Sequence, residues 1–330
     1  MSMIGLDAIQ EARKRIIGHI ISTPLVWSPA LSHICGVAVG LKLEHYQTTG
    51  SFKLRGATNA ILKLTEAERK RGVVAASTGN HGRALSHAAR AIGLRATICM
   101  SRLVPENKIS EVRRLGADVR IVGSSQDDAQ KEAERLVDEN GLVMLPPFDH
   151  PAIVAGQGTI GLEIVEAMPD VATVLVPLSG GGLAAGVAAS VKAMRPNAKV
   201  IGLTMERGAA MKASLDAGGP VLVEEFPSLA DSLGGGIGPD NRVTFPMCRA
   251  LLDDVVLLSE SEIAAGIRYA YEREREVLEG AGAVGIAALI AHKIMGLRGP
   301  VAVVLSGRNI DMDVHRRVVN GMSNPLGQKT

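Results

Sequence analysis

Cysteine is scarce. Cys35, Cys99 and Cys248 are the only three in 330 residues and stand far apart. That leaves no disulfide frame and suits reduced thiols in a cytoplasmic protein. No Cys/His set has zinc spacing, so no metal site is expected. The opening Met1-Ser2-Met3-Ile4-Gly5-Leu6-Asp7 lacks the basic and apolar regions of a signal peptide. Apolar runs such as 301–305 fall far short of the roughly 20 residues of a membrane span, so no membrane partner is expected. Formal net charge is only +2, with Lys and Arg scattered. Without a basic patch, nucleic acid is an unsupported partner. Internal repeats and low-complexity segments are absent too. What is present is apolar content, 46% of the chain, ample for one or two cores in a protein longer than one average domain.

Short apolar runs alternate with helix-like stretches. Segments 73–76, 96–100, 118–122, 142–145, 173–178, 200–205 and 301–305 read as strands, and 83–92, 108–115, 127–140, 161–168 and 183–194 as helices. This is the βαβ pattern of an α/β protein with a doubly wound, parallel sheet. Segment 69–149 has four strands of its own and predicts a small domain inserted in a large one made of 1–68 and 150–330.

Four segments carry chemistry. In Thr49-Gly50-Ser51-Phe52-Lys53-Leu54-Arg55-Gly56-Ala57, Lys53 lies among small and apolar residues. Burial disfavours the ammonium form and leaves a nucleophilic amine able to form a Schiff base. A strand over 173–178 leads into Ser179-Gly180-Gly181-Gly182-Leu183 and a helix. Glycine N–H groups and a helix start make an anion site, and without Gly-Lys-Ser/Thr it suits a monophosphate better than a nucleoside triphosphate. Ser77-Thr78-Gly79-Asn80-His81-Gly82 follows strand 73–76, where ligands sit in open α/β sheets. Its bland alternative is a helix N-cap at Ser77 or Thr78. The fourth segment, 301–305 followed by Ser306-Gly307-Arg308-Asn309, is a buried strand ending in a small hydroxyl. Gly156-Gln157-Gly158-Thr159-Ile160-Gly161 matches a dinucleotide fingerprint but lacks the preceding strand and the later acid. Its glycines are expected to serve close helix packing.

Together, and in this order, the four motifs resemble the fold-type II pyridoxal-phosphate enzymes, tryptophan synthase β-like in fold. Within them the chain is most similar to the threonine dehydratase and serine racemase family. The segments Glu44-His45-Tyr46-Gln47-Thr48-Thr49-Gly50, Gly82-Arg83-Ala84-Leu85 and Pro146-Pro147-Phe148-Asp149-His150-Pro151 further resemble its hydroxyectoine-utilisation dehydratases. The resemblance implies two open-sheet domains with pyridoxal 5'-phosphate in the cleft, an amino-acid substrate and a homodimer or other homo-oligomer. It implies that Lys53, next to Phe52, forms an imine with the cofactor and serves as base at Cα. Asn80 would touch the ring hydroxyl, and Ser179 through Leu183 would hold the phosphate. The loop Ser77, Thr78, Gly79, Asn80 and His81 would hold the substrate carboxylate, and Ser306 would face the pyridine nitrogen.

Ser306 sets the expected reaction. A neutral hydroxyl does not keep the pyridine protonated, so a long-lived carbanion is disfavoured and prompt loss of a β-substituent is favoured. The expectation is elimination of water from a β-hydroxy-α-amino acid, giving a 2-oxo acid and ammonia, and the subgroup resemblance implies a place in hydroxyectoine degradation. Catabolic threonine, serine or 3-hydroxyaspartate dehydration is the alternative, followed by β-replacement, racemisation and a binding protein without activity. Two departures from the family stand out. Its divalent-cation site has Lys212 in place of an Asp, with an ammonium expected to pair with Glu206. Thr78 replaces the racemase serine, with a stiffer side chain. Room for a C-terminal regulatory domain is lacking, so feedback by isoleucine is not expected.

Overall fold

The computed structural model describes residues 3–77, 79–104, 106–322 and 325–326. Among the described residues ten strands are present: β1 (Leu25–Trp27), β2 (Val39–Lys42), β3 (Val73–Ala76), β4 (Ala96–Met100), β5 (Asp118–Ile121), β6 (Val143–Met144), β7 (Thr173–Pro177), β8 (Lys199–Met205), β9 (Asp254–Leu258) and β10 (Val301–Val304). They form a six-stranded sheet ordered β1-β2-β10-β7-β8-β9 and a four-stranded sheet ordered β5-β4-β3-β6. The four-stranded sheet is parallel throughout and drawn wholly from residues 73–144. In the larger sheet, β10 pairs in parallel with β2 and β7, and β7-β8-β9 continue in parallel. Only β1 is antiparallel, with Trp27 opposite Gly40.

Parallel strands are covered by helices on both faces, which is why they read as unbroken apolar runs. Every residue of β3, β7 and β10 is buried. β1, β2 and β9 were not expected. β1 is three residues long, and β9 is an edge strand whose residues are mostly half exposed. β2 reads Val-Gly-Leu-Lys, and its Lys42 looks like a surface residue yet is 1% exposed, paired with Glu163 and Glu44.

The helix expected over 161–168 in fact runs Pro151–Ala167. His150 caps it and Pro151 opens it, a position where the missing N–H costs nothing. Its glycines do not break it because neighbouring helices need the space. A Cβ on Gly156 would lie 2.6 Å from Gly56 Cα, and one on Gly158 would lie 2.9 Å from the Gly186 carbonyl. Among the described residues no helix is long and apolar enough to cross a membrane, and no group of three or more His, Cys, Asp or Glu could hold a metal.

Candidate active site

The chemistry-bearing loops gather beyond the carboxyl ends of β3, β7 and β10, the usual ligand side of an open α/β sheet. Ser51 bridges Gly307, and the Phe52 N–H donates to the Ser306 carbonyl at 3.0 Å. These links set Lys53 beside the end of β10. Lys53 opens the helix Lys53–Leu62, with its Nζ 2.7 Å from the Pro147 carbonyl and 5.4 Å from the Phe52 ring centre. The surrounding protein lowers the Lys53 pKa from 10.5 to about 8, and the Glu279 carboxylate partly opposes this.

Two residues further on, Arg55 is fully buried. Its guanidinium forks onto Glu44 at 2.8 Å and onto Glu163 at 2.7 Å, and the Lys42 ammonium joins the same cluster. Two cations and two anions neutralise one another there and anchor the first turn that carries Lys53.

The glycine loop closes as anticipated. Gly181 adopts φ +87° as N-cap of the helix Gly182–Met194, and no side chain caps that helix. Its first-turn N–H groups have no intrahelical partner, and the helix dipole adds positive potential there. Side chains cannot enter the cradle. A Cβ on Gly181 would lie 2.8 Å from Cys248 Sγ and Met211 Cε, and one on Gly182 would lie 3.1 Å from Phe148. Ser179 ends the approach from β7 and Leu183 buries its side chain in the core.

Thr78 lies outside the described residues. The helix after β3 begins at Asn80, with Gly79 as its N-cap, so Ser77 does not hold the cap position. Ser77 Oγ instead accepts from the Gly82 N–H at 3.1 Å, and the Cβ position of Gly79 faces open space. His81 Nε2 contacts the Leu145 carbonyl at 2.8 Å. Burial, reinforced by the charge of Lys53, pushes its pKa to about 3, so its imidazole is neutral. A neutral ring already engaged with a carbonyl contributes no charge towards a carboxylate. Ser306 is 2% exposed, and its Oγ has only a 3.4 Å contact with the Ala281 carbonyl. Thr49 Oγ1 and Ser51 Oγ, on either side of Gly50 just before Lys53, are buried with no partner among the described residues.

The expected Lys212–Glu206 pair does not form. Lys212 binds Asp216 one turn along its own helix, at 2.6 Å, and Glu206 meets Lys293, at 3.5 Å. The i,i+4 partner is closer and needs no rearrangement.

Sequence reasoning missed Glu279. It is 4% exposed, accepts from Asn80 Nδ2 at 2.8 Å and from the Asn309 N–H at 3.0 Å, and lies in the field of Lys53. Burial first, then the nearby Asp231 charge, raises its pKa to about 7. The signal was present in Leu278-Glu279-Gly280-Ala281-Gly282, a charge among apolar and small residues like that around Lys53.

A half-buried amine of lowered pKa, a glycine loop at a helix start and a small buried hydroxyl thus stand on three converging loops, a set of groups suited to an aldehyde bearing a phosphate. The unpartnered hydroxyls beside Lys53 and the side-chain-free cradle fit such a group. The chain belongs to the pyridoxal-phosphate dependent enzyme family, whose model matches residues 16–307. It is 70% identical over 322 residues to a Sinorhizobium fredii protein provisionally named threonine dehydratase, covering 98% of this chain and 97% of that one. It is 44% identical over 318 residues to a Thermotoga maritima L-threonine ammonia-lyase, covering 96% of this chain and 79% of the relative. Among solved structures, maize serine racemase superposes with TM-score 0.90 at 30% identity, over 94% of this chain and 95% of that one. Processed threonine deaminase isoform 2 of Solanum lycopersicum gives TM-score 0.87 at 35% identity, over 97% and 90%. The fold is thus that of the fold-type II enzymes and the cofactor is pyridoxal phosphate, in a threonine dehydratase-like lyase.

Proposed function

We propose that the chain removes water from a β-hydroxy-α-amino acid and yields a 2-oxo acid and ammonia. Lys53 carries the reading: a half-buried amine whose pKa is lowered to about 8, next to Phe52, whose N–H donates to the Ser306 carbonyl. Bound pyridoxal phosphate supplies an aldehyde for imine chemistry and a ring that accepts electron density. Lys53 would hold the cofactor's aldehyde carbon and, when released, would serve as the base for the Cα proton; general-base help of this kind contributes about 10²–10⁴-fold. The N–H groups from Gly180 to Leu183 would hold the phosphate and Asn80 would meet the ring hydroxyl. The backbone and hydroxyls of the loop from Ser77 to His81 would orient the substrate carboxylate. Ser306, a neutral hydroxyl, would meet the pyridine nitrogen without keeping it protonated, which favours loss of the β-hydroxyl over a long-lived charge at Cα. Segment 69–149 acts as a small domain closing one side of the cleft, and the working form is a homo-oligomer.

The substrate we propose is a 3-hydroxy-2,4-diaminobutyrate derived from hydroxyectoine. Opening the hydroxyectoine ring leaves a hydroxyl at C3, β to the α-amine, where elimination requires it. The segments 44–50, 82–85 and 146–151 support it through their resemblance to that subgroup. A second reading, L-threonine, is favoured by the names of the relatives described above. Release of 2-oxo acid from L-threonine, L-serine, 3-hydroxyaspartate and 3-hydroxy-2,4-diaminobutyrate derivatives decides between them. A kcat/KM for L-threonine above every hydroxyectoine-derived compound sinks the first reading.

A further inference from the structure

One hydrogen-bond chain in the cleft has its direction fixed at both ends. Arg83, which can only donate, places Nη1 3.3 Å from Asn309 Oδ1. Asn309 Nδ2 then has both hydrogens committed, to the Thr49 carbonyl at 2.9 Å and to Asn80 Oδ1 at 2.6 Å. Asn80 Nδ2 gives one hydrogen to Glu279 Oε1 at 2.8 Å, and Glu279 Oε2 takes the Asn309 backbone N–H at 3.0 Å. An amide's orientation is normally assigned from its partners, and here the partners leave one choice. Turning Asn309 over would set its oxygen against two oxygens, and turning Asn80 over would set its nitrogen against the Asn309 nitrogen. Asn80 is 8% exposed and Glu279 4%, so such mispairing has little water to relieve it. The second hydrogen of Asn80 Nδ2 therefore has a fixed direction.

We infer that Glu279 is a positioning residue: acting through Asn80, it keeps an N–H donor turned to the cofactor's ring hydroxyl, with Asn309 and Arg83 as the far end of the same chain. The inference rests on the proposal that Asn80 meets that hydroxyl. A donor there favours the ionised ring oxygen, because a hydrogen bond to the charged form stabilises it. Glu279 can act as acceptor to two N–H donors at once only while ionised or suitably turned. The charged groups around it are Lys53, Arg83 and Asp231, the last within 3.7 Å of Lys108. Gln at this position has one acceptor and one donor end for two N–H partners. The Asn309 backbone N–H cannot turn away, so Asn80 loses its anchor.

The test is the absorption spectrum of holoenzyme across the neutral pH range for Glu279→Gln, Glu279→Asp and Asn80→Ala, with circular dichroism and steady-state kinetics. Asn80→Ala and Glu279→Gln should each move the long-wavelength band of the bound cofactor to shorter wavelength. Each should lower kcat on the order of tenfold, the size of one charge-assisted hydrogen bond, with little change in KM. The double variant should shift the band no further, and Glu279→Asp should restore part of it. An unmoved band in Asn80→Ala defeats the reading of Asn80 and this inference with it. A band moved by Asn80→Ala but not by a natively folded Glu279→Gln defeats the inference alone. If Glu279→Gln does not fold, Arg83→Met at the partly exposed end decides: a smaller shift in the same direction supports the chain and an unchanged band overturns it.

Discussion

Lys53 should titrate as an abnormal amine in the apoprotein. Its surroundings lower its pKa from 10.5 to about 8. At pH 7 that raises the neutral, nucleophilic fraction from about 0.03% to about 9%, roughly 300-fold. Trace labelling of apoprotein with acetic anhydride, followed by peptide mapping over a pH series, measures it directly. The label on Lys53 should rise about tenfold per pH unit and level off above pH ~8, whereas ordinary lysines keep rising towards ~10.4. Glu279 supplies the one opposing charge, so Glu279→Gln should move the inflection to lower pH. An inflection at the ordinary lysine value, or labelling of Lys53 no faster than the other lysines at neutral pH, refutes the argument that burial activates this amine.

Arg55→Met leaves Glu44 and Glu163 facing only Lys42 in a buried cluster. Breaking such a set should cost ~3–5 kcal/mol in urea unfolding, and a loss below ~1 kcal/mol would show the cluster to be hydrated or rearranged. Glu279 has a folded pKa raised from 4.5 to about 7, so the folded state holds a proton that the unfolded chain has released. Its contribution to apoprotein stability is full below pH ~4.5 and falls by about 3 kcal/mol as pH rises to ~7. Glu279→Gln should flatten that slope, and an unchanged slope contradicts the assignment. Lys293 lies on Glu206 and Glu262, and Lys212 lies on Asp216, so fixed ammonium groups occupy the surroundings of Glu206. Activity should be indifferent to EDTA and to added Mg²⁺; a severalfold fall restored by Mg²⁺ would falsify this.

The inward strands β3, β7 and β10 and the loops that follow them were legible because each has a local cause. An unbroken apolar run marks a strand covered on both faces, and glycine or a hydroxyl at its carboxyl end marks a ligand loop. β2 was hidden by Lys42, whose charge is satisfied by Glu163 from a helix 121 residues further on. The helix Pro151–Ala167 was cut short by glycines that act as breakers in isolation and as packing surfaces against Gly56 and Gly186.

By itself the sequence determined the fold class and the cofactor, through the motifs that carry the family resemblance, and it singled out Lys53 and the glycine loop because each is a contiguous pattern whose physics is local. Only the tertiary structure decided the partners of the charges. Lys212 found Asp216 on its own helix, Glu206 found Lys293, and Arg55 closed on Glu44 and Glu163. Glu279 acquired its meaning only when Asn80, 199 residues away, came within 2.8 Å. Charge pairing depends on distance in space and on excluded water, and neither is set by the neighbours of a residue along the chain.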